Sequence, residues 1–347
     1  MIRHGLDRIV DLLAVGAGPS VLVALYEAGR AGLDAIAIDK GPVCGALVRH
    51  PTYMRWFSTA EKLELSGFEL LVSEKNPSRR EYLKYCHAYV RHFGLRIVTY
   101  HEVTGIVRED DIFVVTARDL FGRMHTWRAR NVVLGTGFYD SPRPLGVLGE
   151  NLPKVSHQYT ETHFYVDHDV LIVGAGSSAA EVALELWRDG ARVTVAMRSD
   201  RFHAKYWIEP DIENRIKEGS IACHRRVLVK EIRPDDVVLR HESGREMVVP
   251  NDFVLAMTGY EPDTAFLCQL GAAVDPITKR PDLSDAFETT VPGLYVAGTL
   301  CAGVESNEIF IENSRDHGPR IVEHIAARRQ ATPALSVSAI DPGNAPA

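Results

Sequence analysis

The chain has 347 residues, 46% hydrophobic and 24% charged, an ordinary globular composition with room for about two domains and no need of metal or disulfide staples. A net charge of −7 argues against a nucleic-acid partner, which needs a basic surface. Five irregularly spaced cysteines do not read as a secreted disulfide framework. The most apolar long stretch, Val170–Trp187, is interrupted by Glu181 and Glu185 and does not make a membrane span. Met1–Asp11 is charged and holds no apolar signal core, so a cytoplasmic protein without membrane partners is expected.

Arg8–Val15 reads as a buried strand, Gly16–Ser20 as a turn, Val21–Ala31 as a helix and Leu33–Ile38 as a second strand ending at Asp39. That order opens a parallel sheet. Gly41–Phe68 is loop-rich, and Ser78–Phe93 is helical with Gly94 as its stop. Val103–Val107, Ile112–Ala117 and Met124–Ala129 alternate like an antiparallel meander, and Asn131–Gly137 predicts one more buried strand. Pro142, Pro144 and Pro153 mark a linker. The order then repeats: strand Asp169–Val173, turn Gly174–Ser178, helix Ala179–Arg188, strand Arg192–Ala196, helix Asp211–Lys217, meander Val227–Val249 and strand Phe253–Met257. Gly293–Ala297 and one long helix from about Asn307 to Arg328 complete the fold. The stretch 331–347 is rich in Ala, Pro and Ser and is expected to be disordered.

Two glycine turns carry the chemistry. Gly16-Ala17-Gly18-Pro19-Ser20-Val21 lies between strand and helix, where backbone N–H groups at a helix start can hold a pyrophosphate. Asp39, with Lys40 beside it, ends the next strand, where a carboxylate accepts hydrogen bonds from an unphosphorylated ribose. That combination fits FAD. Val21 replaces the usual third glycine, which predicts a slightly splayed helix. The second turn is Gly174-Ala175-Gly176-Ser177-Ser178-Ala179. Its following strand ends without an acid, at Arg198, with Arg201 close behind. A carboxylate there would repel a 2′-phosphate that a guanidinium binds, so NADPH is expected over NADH. Leu134-Gly135-Thr136-Gly137 and the GLYVAGT segment, Gly293–Thr299, support the same reading.

These segments, in this order, resemble the two-dinucleotide-fold flavoproteins that include thioredoxin reductases. The resemblance implies an α/β protein of two Rossmann-like domains, the NADPH domain inserted into a discontinuous FAD domain: about 1–150 plus 262–330 for FAD and 151–261 for NADPH. Within that group the chain looks like the bacillithiol-disulfide reductase family. The segments that carry this are His50–Met54, Phe57–Glu64, Leu152–His157, Thr258–Asp263 and Asn307–Asn313. The resemblance implies a small-molecule disulfide substrate, FAD and NADPH as cofactors, and Phe57, Gly298, Thr299 and Ile309 among the cofactor-binding residues. Thr299 stands where most of the wider group places Asp, which matches the narrower family. Family members often carry cysteine directly after the turn proline; here that residue is Ser20. A homo-oligomer is also expected.

No pair of cysteines has the spacing of a local redox motif. After Cys44 those positions hold Leu47 and Arg49, and after Cys301 they hold Val304 and Ser306. Cys44, Cys301 and His157 are the candidate catalytic residues. No metal site is expected, because no histidine shows metal-ligand spacing with cysteine. His101, His203 and His224 read as surface or packing residues. A flavin-dependent monooxygenase, a thioredoxin-reductase-like ferredoxin–NADP reductase and a non-catalytic flavin-binding sensor remain open as alternatives.

Overall fold

The computed structural model describes residues 8–305 and 308–331; the tail expected to be disordered lies outside the described residues from 332 onward. Strand β1 (Ile9–Val15) buries Leu12, Leu13 and Ala14 on both faces, as an inner parallel strand must. Helix α1 (Pro19–Arg30) starts with proline in its first turn and packs Val21, Leu25 and Ala28 on the sheet. Strand β2 (Ala35–Ile38) follows. The loop-rich stretch holds two four-residue helices, α2 (Gly45–Val48) and α3 (Ala60–Leu63). Helix α4 (Arg79–Phe93) has a Ser78–Glu81 capping box at its start and left-handed Gly94 at its end.

Strands β3 (Ile97–Val98), β4 (His101–Glu109), β5 (Ile112–Asp119) and β6 (Met124–Leu134) complete the first sheet, in the order β3-β2-β1-β6-β5-β4. Here the structure corrects the reading of two separate strands. Met124–Leu134 is one continuous strand, antiparallel to β5 along its first half and parallel to β1 from Arg128 on. The meander is therefore an extension of the parallel sheet. It ends at Leu134, so Gly135–Gly137 is coil at the carboxyl edge.

A second, all-parallel sheet is built from β7 (Val155–Ser156), β8 (Asp169–Val173), β9 (Arg192–Ala196), β10 (Ala222–His224) and β14 (Phe253–Ala256), ordered β10-β9-β8-β14-β7. Helices α5 (Ser177–Arg188) and α6 (Glu209–Lys217) contribute to its core. In this half the meander, β11 (Val227–Ile232), β12 (Asp236–His241) and β13 (Glu246–Pro250), forms a sheet of its own. The short helix α7 (Ala265–Gln269) leads back, and β15 (Leu294–Val296) joins the first sheet parallel to β6. The second sheet is thus inserted in the chain between two strands of the first.

The long terminal helix is two helices, α8 (Ile311–Ser314) and α9 (His317–Ala331). Pro319 would clash with the Arg315 carbonyl in a continuous helix, so the chain breaks at Arg315–Asp316. Helix α9 lies tight on α1: a Cβ on Gly318 would sit 2.6 Å from the Ala24 nitrogen.

Candidate active site

The two glycine turns have one construction. Gly16 has φ +105°, and a Cβ there would lie 2.4 Å from the Gly135 carbonyl oxygen. Gly174 has φ +149°, and its Cβ would lie 2.5 Å from the Met257 oxygen. Only glycine lets each first strand turn against the end of its neighbour. Gly18 and Gly176 are the N-caps of α1 and α5; neither helix has a side-chain cap, and nothing lies within 4 Å of a Cβ built on either glycine. The space before each helix start is open, which is what a pyrophosphate requires.

Val21, expected to splay α1, has room made for it. One of its methyl groups lies 2.3 Å from where a Gly135 Cβ would be, so the missing side chain at Gly135 receives the valine. In the second fold the sizes are exchanged, with Ala179 on the helix and Met257 at the strand end.

Asp39 locks the first cradle. Its carboxylate accepts from the Ala17 and Gly41 N–H groups, each at 2.7 Å. Burial raises its pKa against the pull of these two donors. Each oxygen keeps a lone pair for a ribose hydroxyl. Lys40 pairs with Asp140 at 2.9 Å. Thr136 and Gly137 at the end of β6, and Gly298 and Thr299 after β15, close the far side. A Cβ on Gly298 would reach within 3.1 Å of Ser20 Oγ. Ser20 Oγ itself donates to Ser314 Oγ at 2.9 Å and ties α1 to α8.

In the second cradle, His203 N donates to the Ala175 carbonyl at 2.7 Å and Lys205 N to Ser177 Oγ at 3.2 Å. The segment after β9 is thereby laid along the glycine turn. Ser178 and Arg198 line this half, and Arg198 makes no ion pair among the described residues. Arg201 stays outside the lining, its carbonyl held by Ser199 Oγ; His203 and Lys205 line the cavity instead. His101 is also a lining residue, so two of the three histidines read as surface or packing residues face the cofactor space.

Both cradles open into one cavity of about 2440 Å³, which Cys44, Phe57, His157 and Ile309 also line. Phe57 stacks on Trp207 at 4.8 Å and 7°, with Lys205 Nζ within 5.5 Å of both rings. The stack joins a loop of the first half to a loop of the second.

The cysteines separate. Cys44 is buried beside Cys86, and the contact between the two thiols, then burial, pushes its pKa well up. Spacing could not reveal this pair, because α4 brings Cys86 back across 42 positions of chain. Cys301 lies off the cavity lining, near His317 Nδ1 at 3.7 Å, and burial pushes its thiol up to about 12. Neither meets the usual condition for an attacking thiolate. Folding also gathers His101, Asp119 and His125, whose candidate ligand atoms lie within 4.8 Å of one another. The Asp119 carboxylate there accepts from the Phe121 and Arg123 N–H groups, from Arg123 Nε and from His125.

Comparison with known proteins agrees with this geometry. The family model described as pyridine nucleotide-disulphide oxidoreductase matches residues 13–298. The bacilliredoxin reductase Bdr of Bacillus subtilis (strain 168) is 36% identical over 321 residues, 91% of this chain and 97% of that protein. The solved bacillithiol disulfide reductase Bdr (YpdA) from Bacillus cereus is 35% identical with a TM-score of 0.90, covering 92% of this chain and all of that one. The Staphylococcus aureus counterpart is 32% identical with a TM-score of 0.87, over 93% of this chain and all of that one. Thioredoxin reductases and flavin monooxygenases near 20% identity share the fold. The chain belongs to the pyridine nucleotide-disulphide oxidoreductase family and is a two-nucleotide oxidoreductase with FAD and NADPH as cofactors. Within that family it is a member of the bacilliredoxin and bacillithiol-disulfide reductase group.

Proposed function

We propose that this protein uses NADPH to reduce a low-molecular-weight thiol disulfide, with bacillithiol disulfide as the substrate that its relatives' names indicate. The observation that carries this is the pair of open cradles facing one cavity. FAD, when bound, supplies the two-electron relay between nicotinamide and disulfide. Gly16, Gly18, Asp39, Thr136, Gly298 and Thr299 hold it, and Gly174, Gly176, Ser177 and Arg198 hold NADPH. The FAD domain comprises 1–150 plus 262–330 and the NADPH domain 151–261. Two electrons pass to the substrate without an attacking protein thiol, because Cys44 and Cys301 are buried with raised pKa values.

No helix among the described residues is long and apolar enough to cross a membrane. Five free thiols suit a reducing, cytoplasmic setting. A homo-oligomer is proposed, and the protein's mass in solution tests it. The deciding experiment is anaerobic NADPH consumption by the FAD-loaded enzyme against bacillithiol disulfide, other small disulfides, ferredoxin, quinones and oxygen. Turnover confined to small disulfides is expected; turnover only with oxygen or ferredoxin would overturn the reading.

A further inference from the structure

Strands β4, β5 and β6 lie side by side, and at one end of this antiparallel stretch two histidines and an aspartate meet. His101 opens β4 and pairs in register with Asp119, the last residue of β5. His125 on β6 pairs with Ala117, which precedes Asp119 on the same face of β5. Side chains alternate along a strand, so all three residues project from one face of the sheet. The two imidazole rings meet edge to face at 4.8 Å, and one ligand atom from each of the three residues lies within 4.8 Å of the others. No spacing along the chain shows this set, because each residue comes from a different strand.

The hydrogen bonds orient the three groups as a cation site requires. Asp119 Oδ1 accepts from the Phe121 and Arg123 N–H groups, both at 2.9 Å, which fixes the carboxylate. Asp119 Oδ2 accepts from His125 Nε2 at 3.2 Å and from Arg123 Nε at 2.7 Å. Both groups at Oδ2 can give way to a cation: one is a proton on His125, the other a guanidinium whose side chain is 69% exposed. His101 Nδ1 donates to the Thr99 carbonyl at 2.8 Å, so the lone pair of this ring lies on Nε2. A backbone carbonyl behind one ring nitrogen is the support that metal-binding histidines ordinarily have. The Asp119 side chain is 5% exposed and that of His125 24%, so the carboxylate is shielded while an ion can still enter past the imidazole. The His101 N–H donates to the Asp39 carbonyl at 2.9 Å, which places the cluster at the border of the first cradle.

We propose that His101, Asp119 and His125 form a zinc site, binding one Zn²⁺ through one nitrogen of each imidazole and Asp119 Oδ2, with water as the fourth ligand. Two nitrogens and one carboxylate oxygen suit Zn²⁺, whereas Mg²⁺ and Ca²⁺ take oxygen sets. Ligand atoms about 2 Å from zinc stand roughly 3.3 Å apart in a tetrahedron, so the side chains close in by about 1.5 Å at most. The ion takes the place of the His125 Nε2 proton, which leaves to solvent, and competes with the Arg123 guanidinium for Oδ2. It ties β4, β5 and β6 together beside Asp39.

The test titrates Zn²⁺ alone into chelator-treated, FAD-loaded enzyme by calorimetry, in the parent and in the His101→Gln, His125→Gln and Arg123→Ala variants. Each histidine variant is expected to bind this equivalent of Zn²⁺ on the order of 10²-fold more weakly. Arg123→Ala keeps the main-chain donors to Asp119 and removes the competing cation, so it should bind Zn²⁺ several-fold more tightly. Co²⁺ in place of Zn²⁺ should give tetrahedral d–d bands without a thiolate-to-metal charge-transfer band, which separates the site from the five free thiols. Zn²⁺ should raise the melting temperature of the parent and not that of the histidine variants. A parent that binds no Zn²⁺, unchanged affinity in both histidine variants, unchanged or weaker binding in Arg123→Ala, or Co²⁺ held through thiolate alone would each overturn the site.

Discussion

At residue scale the site depends on a few charges, and its two buried thiols stand outside the chemistry. Arg198 follows β9 with no carboxylate partner among the described residues, which suits a 2′-phosphate. Arg198→Ala should lower NADPH affinity roughly 10- to 150-fold, the loss of one charge-assisted bidentate contact, and leave NADH nearly unchanged. Flavin reduction against nucleotide concentration measures this; an unchanged preference would point to His203 and Lys205. Cys44→Ser and Cys301→Ser should each leave disulfide turnover within a few-fold of the parent. Uptake of four electrons by the oxidised enzyme would instead expose a Cys44–Cys86 disulfide. His317 is buried, stacks on Phe287 at 3.9 Å and accepts from the Gly298 N–H at 3.2 Å. Burial, aided by Arg320, lowers its pKa from 6.5 to about 4. The unfolded chain therefore binds the proton more readily. The stability contributed by neutral His317 is full above about pH 6.5 and falls toward pH 4, by about 3 kcal/mol. Urea midpoints at several pH values should show a steeper acid loss in the parent than in His317→Phe; parallel curves would remove this residue as the cause.

At element scale the two dinucleotide units make the same turn with exchanged side chains. Valine on α1 faces glycine at the strand end, whereas in the second unit the helix position holds Ala179 and the strand end Met257. Gly135→Ala forces a methyl group onto Val21 and should destabilise by about 1–3 kcal/mol. Adding Val21→Ala should restore part of that loss, giving a coupling energy of opposite sign in a double-mutant cycle. Chemical denaturation measures it, and strict additivity would show that the helix simply moves. The same elements show where sequence patterns stop. In the second unit β8 and β9 were readable to the residue and β14 to within one, because each is a short apolar run between turn residues; the edge strands β7 and β10, two and three residues long, were not read, being too short to show a pattern. The continuity of β6 was not readable, because alternation and a solid apolar run are two faces of one strand whose partners change along its length.

For the whole molecule, the first sheet is completed only when β15 returns to β6 from the far side of the second unit. FAD held between β1, β6 and the loop after β15 should therefore stabilise the chain as a whole. The purified protein should be yellow, and stripping its FAD should lower the melting temperature by several degrees, restored by added FAD in excess of its dissociation constant. An unchanged melting temperature would place FAD outside these elements.

The sequence by itself determined the two glycine turns, the acid after the first and the arginine after the second, because local backbone geometry demands particular residues at fixed spacing. The insertion of one unit in the other came from the family resemblance, and the strand order, with β15 returning to β6, carries it in the structure. Only the tertiary structure decided which distant groups meet. It brought Cys86 to Cys44, set His203 and Lys205 in the cavity lining while Arg201 stayed out, and gave Val21 its space at Gly135. It also left His157 with one nitrogen on Glu150 and the other without a partner. Such contacts follow from packing across many positions of chain, and no spacing rule encodes them.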